Sequence, residues 1–265
     1  MLYQEDCQIL ENINIAPDHF KMSFACKNIS KNAKPGQFVQ IKVSSTNAPL
    51  LRRPFSFHKI GTETFEVLYH VVGEGTRILS EINVATSHAA SLPKKLNIIG
   101  PLGNGFDIKK GKIAVLIGGG CGSAPLYCLE EELKKQKIES HFFMGASTNG
   151  LLLCQSDLAR LKTKLYISTD DGSCGEKCNV AALYSSYLSS FDKKKTVLYA
   201  CGPTAMLKAV KDIALKENIP CQVSLEEHMA CGIGACLGCV VETVNGNKRV
   251  CKDGPVFEAK DLLWQ

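Results

Sequence analysis

The sequence has no long apolar run, no secretory pattern and no dense basic block, and each absence excludes a class of protein. No stretch approaches the roughly 18 uninterrupted apolar residues of a membrane span. The segment from Met1 to Cys7 has neither a basic region nor an apolar core, so no secretory signal is predicted. The net charge of +5 is mild, and no Lys/Arg block with interleaved aromatic residues indicates nucleic-acid binding. We expect a cytoplasmic protein that binds neither membranes nor nucleic acids.

Cysteine, in contrast, is abundant, with 13 residues in a chain of 265. In a chain of this length without a secretory signal, so many cysteines indicate metal ligands and reduced thiols rather than disulfides. Several lie in apolar or strand-like surroundings and are predicted to be small core residues: Cys7, Cys26, Cys128, Cys154 and Cys221. Cys174 and Cys178 have no partner ligands beside them, which argues against a second metal site.

Four cysteines near the C-terminus have a spacing that points to chemistry. Cys231, Cys236 and Cys239 read C-x4-C-x2-C, and Cys251 follows after eleven residues. The first three match the plant-type [2Fe-2S] pattern, in which one tight loop and a later segment supply the ligands. The residues between them are mostly small, which leaves room for a cluster and lets backbone N–H groups face its sulfurs. A structural zinc site is the alternative, although zinc ribbons usually have two C-x2-C pairs and this segment has one.

The chain divides into three predicted units. Residues 1–110 show short alternating runs separated by turn residues, which is typical of an antiparallel β-barrel or sandwich. Residues 111–224 alternate five buried strands with helical stretches, including 123–137 and 204–217, which predicts a parallel α/β sheet. Residues 225–265 form a cap too small to bury a sufficient core, so we expect it to depend on its metal centre and on docking to a larger body.

A glycine run, Gly118-Gly119-Gly120, follows the first strand of the α/β unit and opens a helix. In this place glycines let the backbone approach a pyrophosphate, and the start of the helix supplies N–H donors. Ser123 stands where the third glycine of G-x-G-x-x-G would fall, so a merely tight turn is the alternative. The segment that begins at Met144 lacks an acidic residue to hold a ribose hydroxyl, so NAD and NADP both stay open.

A second candidate lies where the fourth α/β strand ends, at Cys201, Gly202 and Pro203. The carboxyl end of a parallel strand faces the crevice in which open α/β sheets bind ligands, so these residues are predicted to line a ligand site. The alternative is a Gly-Pro start of the next helix, which explains Pro203 but not the position of Cys201.

The predicted barrel contains two polar motifs, Arg53-Pro-Phe-Ser56 and Gly73-Glu-Gly-Thr76. An arginine on a barrel strand can pair with a diphosphate through two parallel hydrogen bonds, and a serine three residues later can donate to a ring nitrogen. Backbone N–H and hydroxyl groups of the second motif are candidate partners for the same phosphates. Each motif taken singly is equally compatible with ordinary barrel surface. Tyr69 and His70 are predicted to line the same ligand, with a core tyrosine as the alternative for Tyr69.

Together these motifs resemble the ferredoxin reductase-like flavoprotein superfamily, in which an R-x-[FY]-S barrel strand holds a flavin and a C-G-P strand end lies by the nicotinamide. The resemblance is closer still to the electron-transfer subunits of NAD-linked (class 1B) dihydroorotate dehydrogenases. It covers the whole chain and is carried, in order, by Leu51-Arg-Arg-Pro-Phe-Ser56, Val72-Gly-Glu-Gly-Thr76, Gly100-Pro-Leu-Gly-Asn-Gly-Phe106, the glycine run, Cys201-Gly-Pro-Thr204, 229–239 and 250–257.

The resemblance implies FAD, a [2Fe-2S] cluster and NAD(H) as cofactors. The residues it implies for FAD are Arg53, Pro54, Phe55, Ser56, Leu68, Tyr69, His70, Gly75 and Thr76. Those it implies for the nicotinamide cofactor are Gly118, Gly119, Gly120, Gly202 and Pro203, with Ser56 and Cys201 as catalytic residues. The cluster falls on Cys231, Cys236, Cys239 and Cys251. Cys121, Cys178 and His228 depart from the family pattern, and these departures bear mainly on the nicotinamide site.

The resemblance also implies a partner. Reductases with a fused ferredoxin carry a full domain around their cluster, whereas here the fourth cysteine returns after eleven residues, so the cluster sits in a small cap suited to facing another subunit. The implied pathway takes electrons from FMN in a separate dihydroorotate dehydrogenase catalytic subunit through [2Fe-2S] and FAD to NAD+, in de novo pyrimidine (UMP) biosynthesis. The implied assembly is a heterotetramer with two copies of each subunit.

Two other functions stay open at this point. The first is a subunit of a related NAD(P)H:ferredoxin or sulfur-reducing complex, which would share the same three units. The second is a non-enzymatic redox sensor or a zinc-stapled interaction module built on a decayed reductase fold. The intact Arg53/Ser56 and Gly75/Thr76 pairs argue against decay.

Overall fold

The computed structural model of the chain describes residues 1–44, 46, 48–82 and 94–264. The N-terminal part forms a closed antiparallel barrel with the strand order β1-β2-β5-β4-β3-β6. The barrel strands are β1 (Tyr3–Ala16), β2 (His19–Ala25), β3 (Phe38–Ile41), β4 (Arg53–Ile60), β5 (Thr64–His70) and β6 (Lys95–Leu102). Helix α1 (Lys27–Asn32) follows β2, and helix α2 (Glu74–Ser80) follows β5. Side chains at alternate positions fill the interior, as the period of two along a strand requires, so the predicted barrel is confirmed.

The second part is a parallel sheet with helices on both faces. Its parallel strands are β7 (Ile113–Gly119), β8 (Ser140–Ala146), β9 (Lys164–Thr169), β10 (Thr196–Cys201) and β11 (Cys221–Ser224). The helices are α3 (Ser123–Lys135), α4 (Gln155–Arg160), α5 (Val180–Ser186) and α6 (Thr204–Glu217). Short 3₁₀ turns occupy Gly120–Gly122, Asn149–Leu151, Leu188–Ser190, Lys193–Lys195 and Ala259–Asp261. Every residue of β10 is buried, because helices cover both faces of the sheet.

The C-terminal unit is joined to this sheet. A hairpin of β12 (Val240–Thr243) and β13 (Gly246–Arg249) precedes β14 (Val256–Glu258), which pairs antiparallel with β11. The sheet therefore has the order β14-β11-β10-β7-β8-β9, with one strand more than the five predicted. The added strand covers the open edge of β11 and fixes the cap against the α/β unit.

The predicted core cysteines are buried, but two of them are not free thiols. Cys7 of β1 and Cys26, at the end of β2, form a disulfide, which corrects the prediction that both stay reduced. Cys174 and Cys178 pack against different apolar clusters. None of the helices formed by the described residues has the length and apolar character needed to span a bilayer.

A buried charged group joins the barrel to the α/β unit. Asp157 of α4 lies 3.4 Å from His58 of β4, 3.6 Å from Lys21 of β2 and 3.2 Å from Arg160. The His58 ring stacks on Tyr127 of α3, with ring centroids 4.6 Å apart. Contact with His58, together with the charges of Lys21 and Arg160, outweighs burial and lowers the pKa of Asp157 to about 2.

We expect Asp157→Asn to lower the free energy of unfolding by about 1–3 kcal/mol at pH 7, because it removes the negative charge that faces Lys21 and Arg160 and leaves a buried amide in its place. The folded-state pKa of Asp157 lies below its ordinary value, so this stabilisation is complete above about pH 4 and is lost as pH falls toward 2. Urea unfolding of both proteins at pH 7, 4 and 3 checks it. Asp212→Asn, at an exposed position of α6, is the control. A difference that stays constant with pH would contradict the assignment.

Candidate functional site

A cavity of about 670 Å³ lies where the barrel, the α/β unit and the C-terminal unit meet. Its wall is built by β4, β5, the start of α3 and the segment after β11: Phe38, Arg53, Pro54, Phe55, Ser56, Leu68, Tyr69, His70, Val72, Thr76, Cys121, Ala124, Pro125, Thr204, Leu225, Glu226, Glu227, His228, Met229 and Pro255. This volume is within the usual range for cofactor sites. The fold thus brings nearly all the residues predicted for FAD to one wall of one cavity.

Arg53 begins β4, and Gly75 in the first turn of α2 lies directly against its guanidinium. A Cβ on Gly75 would stand 2.5 Å from Nε of Arg53, so any larger residue there would displace the guanidinium. Arg53 also donates through Nη1 to the carbonyl oxygen of Leu51. A guanidinium and backbone N–H groups therefore meet at one end of the cavity, which suits a diphosphate.

Thr76 has a different role from the one predicted for its hydroxyl. Its Oγ1 accepts hydrogen bonds from the backbone nitrogens of Val72, at 3.0 Å, and Gly73, at 3.2 Å, and donates to the carbonyl oxygen of Gly73. The hydroxyl is thereby used to hold the turn before α2. The backbone N–H of Thr76 remains the group of this residue that suits a phosphate.

Aromatic rings form the middle of the wall. Tyr69 is buried and donates its hydroxyl to Oδ1 of Asn12 at 3.0 Å, and burial raises the pKa of its phenol far above the ordinary value. Its ring lies 5.6 Å from that of Phe55 between centroids. His70 is exposed and stacks on His19, with centroids 4.2 Å apart. The wall next to Ser56 is therefore mostly aromatic, which suits contact with a ring system.

The nicotinamide motifs meet at the carboxyl edge of the sheet. Gly118 and Cys201 are neighbours in the β7–β10 register. A Cβ on Gly122 would stand 2.4 Å from the carbonyl oxygen of Cys201, and one on Gly119 would stand 3.1 Å from Cδ of Pro203. The glycine that lies closest to the end of β10 is therefore Gly122. The sequence did not single it out, because the G-x-G-x-x-G pattern drew attention to position 123 instead. Its place within the same glycine-rich run was the available signal.

Cys201 is buried, and burial raises the pKa of its thiol far above the ordinary value. The thiol therefore stays protonated near neutral pH. Burial likewise raises the pKa of Cys121 to about 12, with the Glu226 carboxyl adding to the effect. Glu226 itself opens on the cavity and is exposed to solvent. The sequence analysis missed Glu226, and its position directly after the last parallel strand was the available signal.

The four C-terminal cysteines form two pairs. The backbone nitrogen of Cys236 donates to Sγ of Cys231 at 3.4 Å, and that of Cys251 donates to Sγ of Cys239 at 3.4 Å. No three of the four sulfurs lie within 4.8 Å of one another. One tetrahedral zinc would need all four sulfurs about 3.8 Å apart, given Zn–S bonds of about 2.3 Å. Two pairs fit two irons better than one zinc ion.

Backbone N–H groups of the cysteine loop also stabilise the thiolate form of Cys231. Burial alone would raise the pKa of Cys231, but N–H donors from Ile233, Cys236 and Ala235 outweigh it and lower the pKa to about 6. Such donors stabilise negative sulfur, as a cluster requires. Cys239 and Cys251 are buried, whereas Cys236 is exposed, so one pair faces the protein and the other approaches the surface.

Comparison with known proteins identifies the family. Residues 226–263 match the iron-sulfur cluster binding domain of dihydroorotate dehydrogenase B, and residues 116–212 match the oxidoreductase NAD-binding domain. The dihydroorotate dehydrogenase B (NAD(+)) electron transfer subunit of Desulforamulus reducens is 36% identical, over 98% of each chain. That of Caldanaerobacter subterraneus subsp. tengcongensis is 37% identical, over 100% of each. The chain belongs to this family.

Solved structures agree with this membership. A chain in the structure of an NADH-dependent reduced ferredoxin-NADP oxidoreductase aligns with a TM-score of 0.85 and 29% identity, over 97% of this chain and 90% of that one. A ferredoxin NADP+ reductase from Neisseria gonorrhoeae aligns with a TM-score of 0.67 and 16% identity, over 81% and 91%. The predicted ferredoxin reductase-like fold is confirmed. As a member of this family, the chain is part of an oxidoreductase with an iron-sulfur cluster and NAD(H), as predicted.

In this electron transfer subunit a clamp holds the two halves of the cluster site together. Arg249 pairs with Asp253 through Nε at 3.1 Å and donates from Nη1 to the carbonyl oxygen of Gly234 at 3.1 Å. Gly234 belongs to the loop with the first two ligands, and Asp253 follows Cys251. The sequence alone did not reveal this clamp, because it depends on the β12–β13 hairpin folding back.

Proposed function

We propose that this subunit passes electrons from the FMN of a dihydroorotate dehydrogenase catalytic subunit, through its [2Fe-2S] cluster and FAD, to NAD+. Dihydroorotate oxidation belongs to the partner, and the chain serves pyrimidine (UMP) biosynthesis as the NAD-reducing subunit. FAD is needed because the cluster transfers only single electrons, whereas NAD+ accepts a hydride. A flavin can do both. The assembly contains two copies of each subunit. Apart from the Cys7–Cys26 disulfide and the four cluster cysteines, seven cysteines are free thiols, which favours a reducing compartment, the cytoplasm.

One observation carries the proposal, namely that a single cavity borders both other sites. Cys121 and Thr204, which lie next to the predicted nicotinamide residues in the sequence, line this cavity. Met229, two residues before the cluster ligand Cys231, lines it as well. A flavin in this cavity would therefore border both the nicotinamide residues and the cluster loop, as the relay needs.

The residues of the chain have distinct tasks in this scheme. Arg53, with the N–H groups around Gly75, binds the diphosphate of FAD and sets the depth of the ring in the cavity. Ser56 donates its hydroxyl to the flavin ring, and the aromatic wall beside it excludes water. Cys201, protonated and packed at the strand end, sets the position of the nicotinamide against that ring.

The partner docks where the cluster approaches the surface. Exposed apolar side chains surround Cys236: Leu237 is 62% exposed and Ile233 is 48% exposed. Leu50, in the segment before β4, is 77% exposed, and its neighbours there share a second cavity with Gly238 of the cluster loop. Apolar side chains this exposed beside a redox centre suit a permanent subunit interface.

The decisive experiment compares the isolated chain with the reconstituted complex. We expect the chain alone to carry electrons from NADH to a dye but not to oxidise dihydroorotate. Mixed with an FMN-bearing dihydroorotate dehydrogenase subunit, it should enable NAD+ reduction, and light scattering should give the mass of two copies of each subunit. Dihydroorotate turnover by the isolated chain would contradict the assignment of that chemistry to the partner.

A second candidate is supported by the alignment with the NADH-dependent reduced ferredoxin-NADP oxidoreductase structure, which exceeds one quarter identity over nearly the whole chain. In that case the cluster would exchange electrons with a ferredoxin partner. Reduction of a ferredoxin by NADH and the isolated chain, with no coupling to dihydroorotate in the complex, would favour this candidate over the first.

We expect Arg53→Ala to weaken FAD binding by about 1.5–3 kcal/mol, or roughly ten- to hundredfold, because a hydrogen-bonded charge pair is lost. Arg53→Lys should restore only part of the affinity, since lysine keeps the charge without the planar fork. Arg52→Ala is the matched control, because Arg52 instead donates to Asn97 at 2.8 and 2.6 Å. Fluorescence titration of the apo-protein with FAD measures all three. Equal affinities for Arg53→Ala and Arg52→Ala would contradict the role of Arg53.

A further inference from the structure

Asn12 of β1 is a polar side chain on the inner face of the barrel. The register of β1 against β2 shifts between Ile9 and Glu11, and after this bulge Asn12 stands opposite Met22. Directly opposed residues of an antiparallel pair point to the same face, and Met22 is fully buried in the barrel core. The bulge therefore turns Asn12 inward, where an amide needs hydrogen-bond partners within the protein.

The hydrogen bonds of this amide connect helix α2 to Tyr69. Nδ2 of Asn12 donates to the carbonyl oxygens of Leu79, at 2.9 Å, and Ile82, at 3.0 Å, at the C-terminal end of α2. Oδ1 of Asn12 accepts from the hydroxyl of Tyr69 at 3.0 Å. Exchanging the nitrogen and the oxygen of the amide would set an oxygen against two carbonyl oxygens, so these partners define its orientation. Both N–H groups and the oxygen of the amide are thus in use.

The position of α2 depends on contacts of this kind. The helix has only seven residues, which is too few for a stable helix without tertiary contacts. In its first turn Gly75 lies against the guanidinium of Arg53, and Thr76 lines the flavin cavity. Leu79 follows Gly75 by about one turn, or about 6 Å along the axis. A shift at the end that Asn12 holds would therefore move the end that faces the cavity.

Tyr69, the other partner of Asn12, lines the same cavity from β5. Burial raises the pKa of its phenol, so the hydroxyl remains a donor to Asn12. Asn12 itself lies behind the cavity wall rather than in it. It can therefore act on a bound cofactor only through the groups that it holds.

We propose that Asn12 is a positioning residue for FAD, which acts through α2 and Tyr69. The amide sets the separation between the groups suited to the diphosphate, at Arg53 and Gly75, and the aromatic wall suited to the flavin ring. FAD spans both, whereas riboflavin ends before the phosphates and meets only the wall. This deepens the proposed function and rests on its FAD site, but not on the cluster, the partner or the direction of electron flow.

Binding of FAD and of riboflavin to the full chain freed of flavin, measured by fluorescence quenching at pH 8, tests the proposal. We expect Asn12→Asp to weaken FAD binding about three- to thirtyfold, the range for one or two hydrogen bonds, because a carboxylate cannot donate to the carbonyl oxygens at the end of α2. Its oxygen still accepts from Tyr69, so riboflavin affinity should stay within about twofold of the wild-type value. Asn12→Ala, which adds no charge, should lower the ratio of FAD affinity to riboflavin affinity in the same direction.

Asn14→Asp is the matched control. Asn14 is exposed on the same strand and donates from Nδ2 to the carbonyl oxygen of Ala16 at 3.0 Å, within β1. The same change of charge there should leave both affinities unchanged, and the iron content of each sample checks that the variants are folded.

The proposal is overturned if Asn12→Asp keeps the wild-type ratio of the two affinities, whether both stay unchanged or both fall together, since a role in stability alone lowers both. An unmodified chain that binds no FAD would instead contradict the FAD site of the proposed function. Because neither NAD+ nor a partner subunit enters the titration, failure of the relay would leave this result intact.

Discussion

Cys236→Ser is expected to remove the iron-sulfur cluster and to abolish coupling between the partner subunit and NAD+, while most of the FAD remains bound. Cys236 is the exposed member of the outer pair, so no buried cysteine can replace it as a ligand. The residues predicted for FAD lie on β4, β5 and α2, and none of them belongs to the cysteine loop. Iron and acid-labile sulfide analysis, the visible spectrum and the NADH-to-dye rate should therefore separate the two sites.

Cys178→Ser is the matched control for this experiment, because Cys178 is a partly buried thiol outside the cluster loop. It should retain full iron, sulfide and coupled activity. Stoichiometric zinc without acid-labile sulfide in the unmodified protein would contradict the iron-sulfur assignment. Full-rate NAD+ reduction by a complex without its cluster would show that the order of the relay is wrong.

Gly122→Ala is expected to lower kcat/KM for NADH about ten- to hundredfold, with FAD and cluster contents unchanged. The new Cβ would stand 2.4 Å from the carbonyl oxygen of Cys201, so the turn after β7 and the end of β10 must separate. Overpacking of this kind costs about 1–3 kcal/mol, and here the displacement falls on the groups that position the nicotinamide. Steady-state NADH-to-dye kinetics measure the effect.

Gly150→Ala provides the control, since a Cβ at Gly150 meets only Oγ1 of Thr148, at 3.9 Å. This variant should keep wild-type kinetics with NADH. An unchanged kcat/KM in Gly122→Ala would mean that the two loops are free to separate and that their contact does not position the cofactor.

Local pattern was enough to predict the architecture and the chemistry of the cluster. Alternating runs along the first 110 residues predicted an antiparallel barrel or sandwich, and apolar runs alternating with helical stretches predicted the parallel sheet, because both reflect short-range periodicity. The spacing of Cys231, Cys236 and Cys239 identified the cluster, since one tight loop supplies three of its ligands. The resemblance of the ordered motifs added the family, which the comparisons then confirmed.

Contacts between distant segments had to come from the tertiary structure. Strand β14 joins the sheet by pairing with β11. No local pattern in the sequence indicates which strand covers the edge of β11. The close approach of Gly122 to Cys201 spans about eighty positions of sequence and depends on how two strand ends meet. Gln40 is the sharpest case. On β3 its sequence neighbours indicate only a barrel strand, and its burial against Gly232 follows from the cap folding onto the barrel. Periodicity predicts which face of a strand is buried, but only packing decides what that face touches.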